Sequence, residues 1–157
     1  MGGKFIPTLT RYFIKTSLIY LLIALLLGAA IILDNFLNLP VFLQFMSPAF
    51  FHLFMLGWVT QLIFGVAWWM FPLLPERTKG NEKLGWLLYI LLNSGLIMRL
   101  ISEPQLSIKH SGLLKGLLVF SALIQVLAGF LFARLLWPRV RAKTSKVKIT
   151  PHKVGPL

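Results

Sequence analysis

The chain has 157 residues, of which 57% are hydrophobic and 13% charged, with no cysteine and a formal charge of +12 at pH 7. Its mean hydropathy of +0.81 lies outside the range of soluble domains, so we expect one integral membrane domain over residues 1–143. The lack of cysteine excludes disulfides, thiolate metal sites, iron–sulfur clusters and covalent haem attachment.

Four apolar runs predict four transmembrane helices, because each run approaches the roughly 20 residues that cross a hydrocarbon core of about 30 Å. We place them at about residues 12–33, 48–71, 84–101 and 113–137. The first run is longer than the apolar part of a secretory signal, so we expect it to stay in the mature protein. The predicted fold class is an all-α integral membrane four-helix bundle. Polar residues and prolines mark the expected helix ends: Asp34 and Asn35, Pro72 and Pro75, Ser102 to Pro104, and Pro138.

Lysines and arginines precede the first span, separate the second from the third, and follow the fourth. With an even number of spans, all three groups fall on one side, which the positive-inside rule assigns to the cytoplasm. We therefore expect a multi-pass protein in the cytoplasmic membrane of a bacterium or archaeon, with both of its termini in the cytoplasm. Residues 144–157 form a basic tail that we expect to be flexible and near anionic lipid. The positive charge reports topology, so we expect no nucleic-acid partner.

The second span contains His52, the first of the candidate site residues, about four residues from its start. An α-helical spacing of 100° per residue puts His52 on one stripe with Ile63, and Gly57, Gln61 and Gly65 on the opposite one. The glycine stripe predicts close helix packing. For His52 two interpretations stay open: an interhelical or interfacial polar group, or a ligand to a metal or haem iron.

Further polar residues are predicted on the same, outer side of the membrane as His52. Arg99 needs an anion, which a lipid phosphate or haem propionates would supply. Met98 is a candidate soft axial ligand, although methionine in membrane helices is commonly filler. His110 precedes the fourth span and is either a solvated loop histidine or a ligand. His152 lies in the basic tail, far from the others, and is not a candidate.

The segment FFHLFMLGWVTQLIFGVAWWMFP, residues 50–72, resembles the second helix of small membrane proteins related to subunit I of the haem-copper (cytochrome c) oxidases, and more distantly of NnrS-like haem-copper proteins. The segments that begin at Leu91 and Leu117 are similar to later helices of that family. The resemblance implies that His52 is an axial ligand of haem b and a metal ligand. It leaves the second ligand open among His110, Met98 and His52 of a second copy in a symmetric dimer.

The resemblance also implies a role in respiratory electron transfer, or as a small redox subunit, with a redox partner on the outer side. The further histidines of a complete oxidase have no counterparts here, so we expect no oxygen-reducing centre. On this interpretation we expect the protein to be a homodimer or part of a larger respiratory complex. Two alternatives are a cofactor-free structural or assembly subunit of such a complex, and a small oligomeric transporter or channel. The pore of the latter would use Thr60, Gln61, Asn93 and Gln125.

Overall fold

The computed structural model describes residues 6–37, 41–71, 78–108 and 111–140, and all its secondary structure there is helical. Each of the four long helices contains an apolar segment long enough to cross a membrane, which confirms the predicted all-α fold class with four spans. The helices are α1 (Thr8–Leu37), α2 (Ser47–Met70), α3 (Thr78–Ile108) and α4 (Gly112–Val140), with a short 3-10 helix (Val41–Met46) before α2.

Three of the helices continue past the residues that were predicted to end them. α1 passes Asp34 to end at Leu37, α3 runs through Pro104 to Ile108, and α4 runs through Pro138 to Val140. Membrane helices tolerate proline because nearby hydroxyl groups and small adjustments satisfy the backbone that it disturbs. Two residues before Pro104, Ser102 Oγ donates a 2.8 Å hydrogen bond to the carbonyl oxygen of Met98, within the same stretch of helix. The end of α2 at Met70, just before Pro72, agrees with prediction.

The middle of the second span has an irregularity that the sequence did not predict. Between two α-helical parts, Ser47–His52 and Gln61–Met70, the segment Leu53–Thr60 is a π-helix. Its hydrogen bonds join residues five apart, and Thr60 Oγ1 likewise donates to the carbonyl of Met55, at 2.8 Å. In the π-helix, side chains five residues apart therefore lie closer to one face of the helix than they would in a regular α-helix.

This π-helix changes the predicted arrangement of stripes on α2. The prediction put His52 and Gly57 on opposite stripes. In the structure His52 lies beside Glu103 of α3, whereas a Cβ atom at Gly57 would meet Tyr20 of α1 first and then Leu96 of α3. The predicted stripes assumed a regular α-helix, and the π-helix between His52 and Gln61 interrupts that spacing.

The glycines of α2 allow α1 to approach closely. A Cβ atom at Gly57 would lie 2.9 Å from Cγ of Tyr20, and one at Gly65 would lie 2.8 Å from Cβ of Phe13. Both distances are too short for packed carbon atoms, so only glycine fits the present spacing of the two backbones. This confirms helix packing as the role of the glycine stripe.

Two apolar clusters hold the bundle together, one near each end. At the end where α2 begins, which we call the His52 end, Tyr20 and Ala24 of α1 pack with Leu53 and Leu96. The cluster at the opposite end is larger, and there the guanidinium of Arg139 lies 4.2 Å above the ring of Trp68. Its buried members are Leu9, Phe13, Phe64, Trp68, Leu88, Leu92, Ala128 and Leu135.

Polar side chains join three helices between these clusters. The side-chain oxygen of Asn93 accepts hydrogen bonds from Tyr20 Oη at 3.0 Å and from Gln61 Nε2 at 2.9 Å. Its amide nitrogen donates to the carbonyl of Tyr89 at 2.8 Å. Gln61 is fully buried. Gln61 and Asn93 therefore act as the interhelical hydrogen-bonding groups that the sequence predicted.

Candidate functional site

His52 is the last residue of the first α-helical part of α2, immediately before the π-helix, and its side chain is 26% exposed. Nδ1 lies 2.8 Å from the carbonyl oxygen of Pro48 and 3.2 Å from Oε2 of Glu103. Both neighbouring groups accept hydrogen bonds, so Nδ1 is the nitrogen that carries the proton. Neither contact uses Nε2, which in the neutral imidazole keeps its lone pair.

Glu103 is held in place by an arginine on its own helix. Arg99 lies one helical turn earlier, and its Nε is 2.9 Å from Oε1 of Glu103. Nη1 of Arg99 also donates a 3.1 Å hydrogen bond to Oε1 of Gln125 on α4. We call the series His52, Glu103, Arg99 and Gln125 the His52 polar chain; it links α2, α3 and α4.

The charges of the His52 polar chain are paired, which limits the free-energy cost of placing them near the membrane interior. The side chains of Glu103 and Arg99 are only 11% and 19% exposed, and their opposite charges compensate each other. With a neutral His52, the four side chains of the His52 polar chain carry no net charge. Because the two carboxylate oxygens face different partners, Glu103 contacts the arginine and the imidazole at the same time.

The structure brings some of the predicted site residues together and separates others. Arg99 lies near His52, as predicted, and the anion that it contacts is Glu103. Met98 precedes Arg99 and is half-buried. It lies five residues before Glu103, which places it on another face of α3 and about 7.5 Å away along the helix axis. His110 lies outside the described residues, as does the basic tail with His152.

Glu103 was missed as a site residue by sequence reasoning. The predicted third span ended at residue 101, so Glu103 was treated as part of a loop. A signal was present, since the spacing of Arg99 and Glu103 is that of an ion pair on one helical face. Reading α3 onward through Pro104 would have placed the two side chains together.

The described residues contain no group of three or more His, Asp or Glu side chains that could hold a metal ion. Within that part of the chain His52 is the single histidine, and its Nδ1 is engaged while Nε2 takes part in neither contact. A site of this kind suits a metal whose remaining ligands come from elsewhere, such as iron already held by a porphyrin.

The fold and this site define a multi-pass helical membrane protein with a polar chain at one end of its four-span bundle. Comparisons with models of protein families, with curated proteins and with solved structures find no match for the chain. The similarity of residues 50–72 to an oxidase helix stays a prediction.

Proposed function

We propose that this chain is a haem b-binding membrane protein that acts in respiratory electron transfer, with Nε2 of His52 as an axial ligand. One observation carries the proposal: Nδ1 of His52 lies 2.8 Å from its hydrogen-bond acceptor, the carbonyl oxygen of Pro48, and 3.2 Å from the carboxylate of Glu103, which leaves Nε2 with the lone pair. Histidines that bind metals commonly donate their second ring N–H to a carbonyl or a carboxylate in this way. The resemblance of residues 50–72 to the second helix of oxidase subunit I supports the same ligand.

Haem bound at this position would supply a one-electron couple between ferric and ferrous iron. The protein has to hold and orient the imidazole. The carbonyl of Pro48 and the carboxylate of Glu103 both contact its Nδ1. Arg99 holds the Glu103 carboxylate and compensates its charge. In the predicted role, Arg99 would also lie near the haem propionates.

The proposal includes a second axial ligand to the haem iron, for which there are three candidates. Met98 and His110 are the candidates within one chain, and His52 of a second copy is the candidate in a symmetric homodimer. The chain has three histidines in all, and we propose no oxygen-reducing centre. The protein would pass electrons to or from a partner, alone or as a small subunit of a larger respiratory complex related to the haem-copper oxidases.

The proposed orientation puts the His52 end on the outer side of a bacterial or archaeal cytoplasmic membrane. Lysines and arginines flank the spans at the opposite end and continue into the tail, which supports cytoplasmic termini. A redox partner would then reach the His52 site from outside the cell.

A second candidate function is that of a cofactor-free structural or assembly subunit of a respiratory complex. It is favoured by the contacts within the His52 polar chain, because Arg99 and Glu103 already compensate each other. In this case His52 would be an interhelical polar group only.

An absorption spectrum separates the two functions. We expect protein produced with adequate haem to show a Soret band that shifts on reduction with dithionite. If the protein purifies folded, with full haem supply, and shows no Soret band, the haem proposal is wrong.

A further inference from the structure

We infer that Glu103 sets the reduction potential of the iron that His52 binds, by placing a negative charge against the far side of the imidazole. This inference rests on the proposed function and adds to it a positioning residue that sequence reasoning did not find. Its basis is the contact of Glu103 Oε2 with Nδ1 of His52 at 3.2 Å, at the ring nitrogen that is not proposed to bind iron.

The two groups beside Nδ1, the carbonyl of Pro48 and the carboxylate of Glu103, have different roles. The carbonyl oxygen of Pro48 is the closer one, at 2.8 Å, and lies in the same helix, so it suffices to fix the tautomer of His52. Glu103 adds a charge, because a carboxylate beside the donated N–H makes the imidazole a stronger electron donor at its other nitrogen. A stronger donor stabilises ferric iron more than ferrous iron and therefore lowers the reduction potential.

The position of Glu103 is fixed by the fold. α3 continues through Pro104, so Glu103 stands on a helix and not in a loop. Arg99 holds its second oxygen at 2.9 Å. Low exposure of the carboxylate, 11%, limits the screening of its charge by water; Arg99 offsets part of that charge, and the remainder acts on the imidazole 3.2 Å away.

The test is a redox titration, followed by absorption, of the full-length haem-loaded protein and of Glu103→Gln. Glutamine keeps the shape and an acceptor oxygen but removes the charge. We expect ferric haem to lose about tenfold in affinity relative to ferrous haem, which raises the midpoint potential by about 59 mV for one electron. Glu82→Gln is the control, since Glu82 is exposed on the same helix and lies about 31 Å further along its axis.

A second variant covers the case in which Glu103→Gln does not fold because Arg99 is left without its compensating charge. In Arg99→Gln/Glu103→Gln two amides replace the ion pair and no uncompensated charge is left. Because Glu103 is the group that contacts the imidazole, we expect this double variant also to raise the midpoint potential. The rise should be smaller than in Glu103→Gln alone, since the positive charge of Arg99 is removed as well.

The outcomes separate this inference from the proposed function. If haem binds and is lost in His52→Ala, yet Glu103→Gln or the double variant has the wild-type potential, Glu103 does not tune the iron and the proposed function stands. If Glu82→Gln raises the potential as much as Glu103→Gln does, the effect is one of net charge and the inference is wrong. Absence of haem from the wild-type protein would overturn both.

Nitrogen NMR of the haem-free protein gives a readout that does not depend on loading. We expect the His52 resonances, assigned with His52→Ala, to show the proton on Nδ1 both in the wild type and in Glu103→Gln, because Pro48 still accepts it. A proton on Nε2 in the wild type would contradict the geometry on which the inference depends.

Discussion

Glu103 lies with its carboxylate 3.2 Å from Nδ1 of His52, although the two residues belong to different helices. The contact connects the start of α2 to the end of α3 and, through Arg99 and Gln125, to α4. It makes the His52 end a polar junction of three helices as well as a candidate ligand site.

Glu103→Ala should destabilise the fold because it leaves Arg99 without its compensating charge. We expect the free energy of unfolding to fall by more than the roughly 1 kcal/mol of an exposed ion pair and less than the 3–5 kcal/mol of a fully buried one. Unfolding by SDS in mixed micelles measures the change. Glu82→Ala, at an exposed position of the same helix, should change stability little; equal losses in both variants would contradict the role of the pair.

Gly57→Ala tests the close packing of α1 on α2. The added methyl group would lie 2.9 Å from Cγ and 3.0 Å from Cβ of Tyr20, so the two backbones have to separate. We expect a loss of about 1–3 kcal/mol in the free energy of unfolding. Gly129→Ala is the matched control, because a Cβ there meets nothing within 4 Å and alanine favours the helix by up to about 1 kcal/mol. A Gly57→Ala protein as stable as Gly129→Ala would mean that the helices are not this close.

Asn93→Ala removes the acceptor shared by Tyr20 and Gln61. Interhelical hydrogen bonds in membranes contribute about 0.6 kcal/mol on average and up to about 1.7, so the loss of two should cost about 1–3 kcal/mol. Ser94→Ala is the neighbouring control, since the Ser94 hydroxyl bonds only to the carbonyl of Leu91 in its own helix. The same micelle unfolding assay compares the two, and a smaller loss for Asn93→Ala than for Ser94→Ala would rule out the shared acceptor.

Trp68→Leu tests the cation–π contact at the opposite end of the bundle. The indole of Trp68 is buried under the guanidinium of Arg139, which lies 4.2 Å from the ring centroid. We expect a loss of about 2 kcal/mol or more in the free energy of unfolding, because the charge is left without its aromatic partner. The adjacent Trp69 is 46% exposed, so Trp69→Leu should have a smaller effect. Thermal denaturation in detergent compares the two variants, and equal losses would contradict the burial of Trp68 under Arg139.

The sequence predicted the features that depend on composition and simple periodicity. Four apolar runs gave four spans, and Gly57 and Gly65 were placed correctly as packing positions because small residues at helical spacing have few other uses in a membrane. Gln61 and Asn93 were recognised as interhelical bonding groups, since a buried amide in an apolar environment needs a partner.

Two features of the site could not be predicted in the same way. The π-helix from Leu53 to Thr60 is one, because no residue pattern in that segment signals it. Glu103 was overlooked because Pro104 is a helix-ending signal in soluble proteins, whereas α3 continues past it here. Both errors concern His52, whose surroundings are set by neighbouring helices and not by its own sequence.

The central claim is that His52 binds haem iron through Nε2, and the absorption spectrum of His52→Ala tests it most directly. The comparison needs wild-type protein, His52→Ala and His152→Ala, all made with added haem and checked for folding by size-exclusion chromatography. We predict a Soret band that responds to dithionite in the wild type and in His152→Ala, and its loss in folded His52→Ala. An unchanged spectrum in His52→Ala would contradict the account.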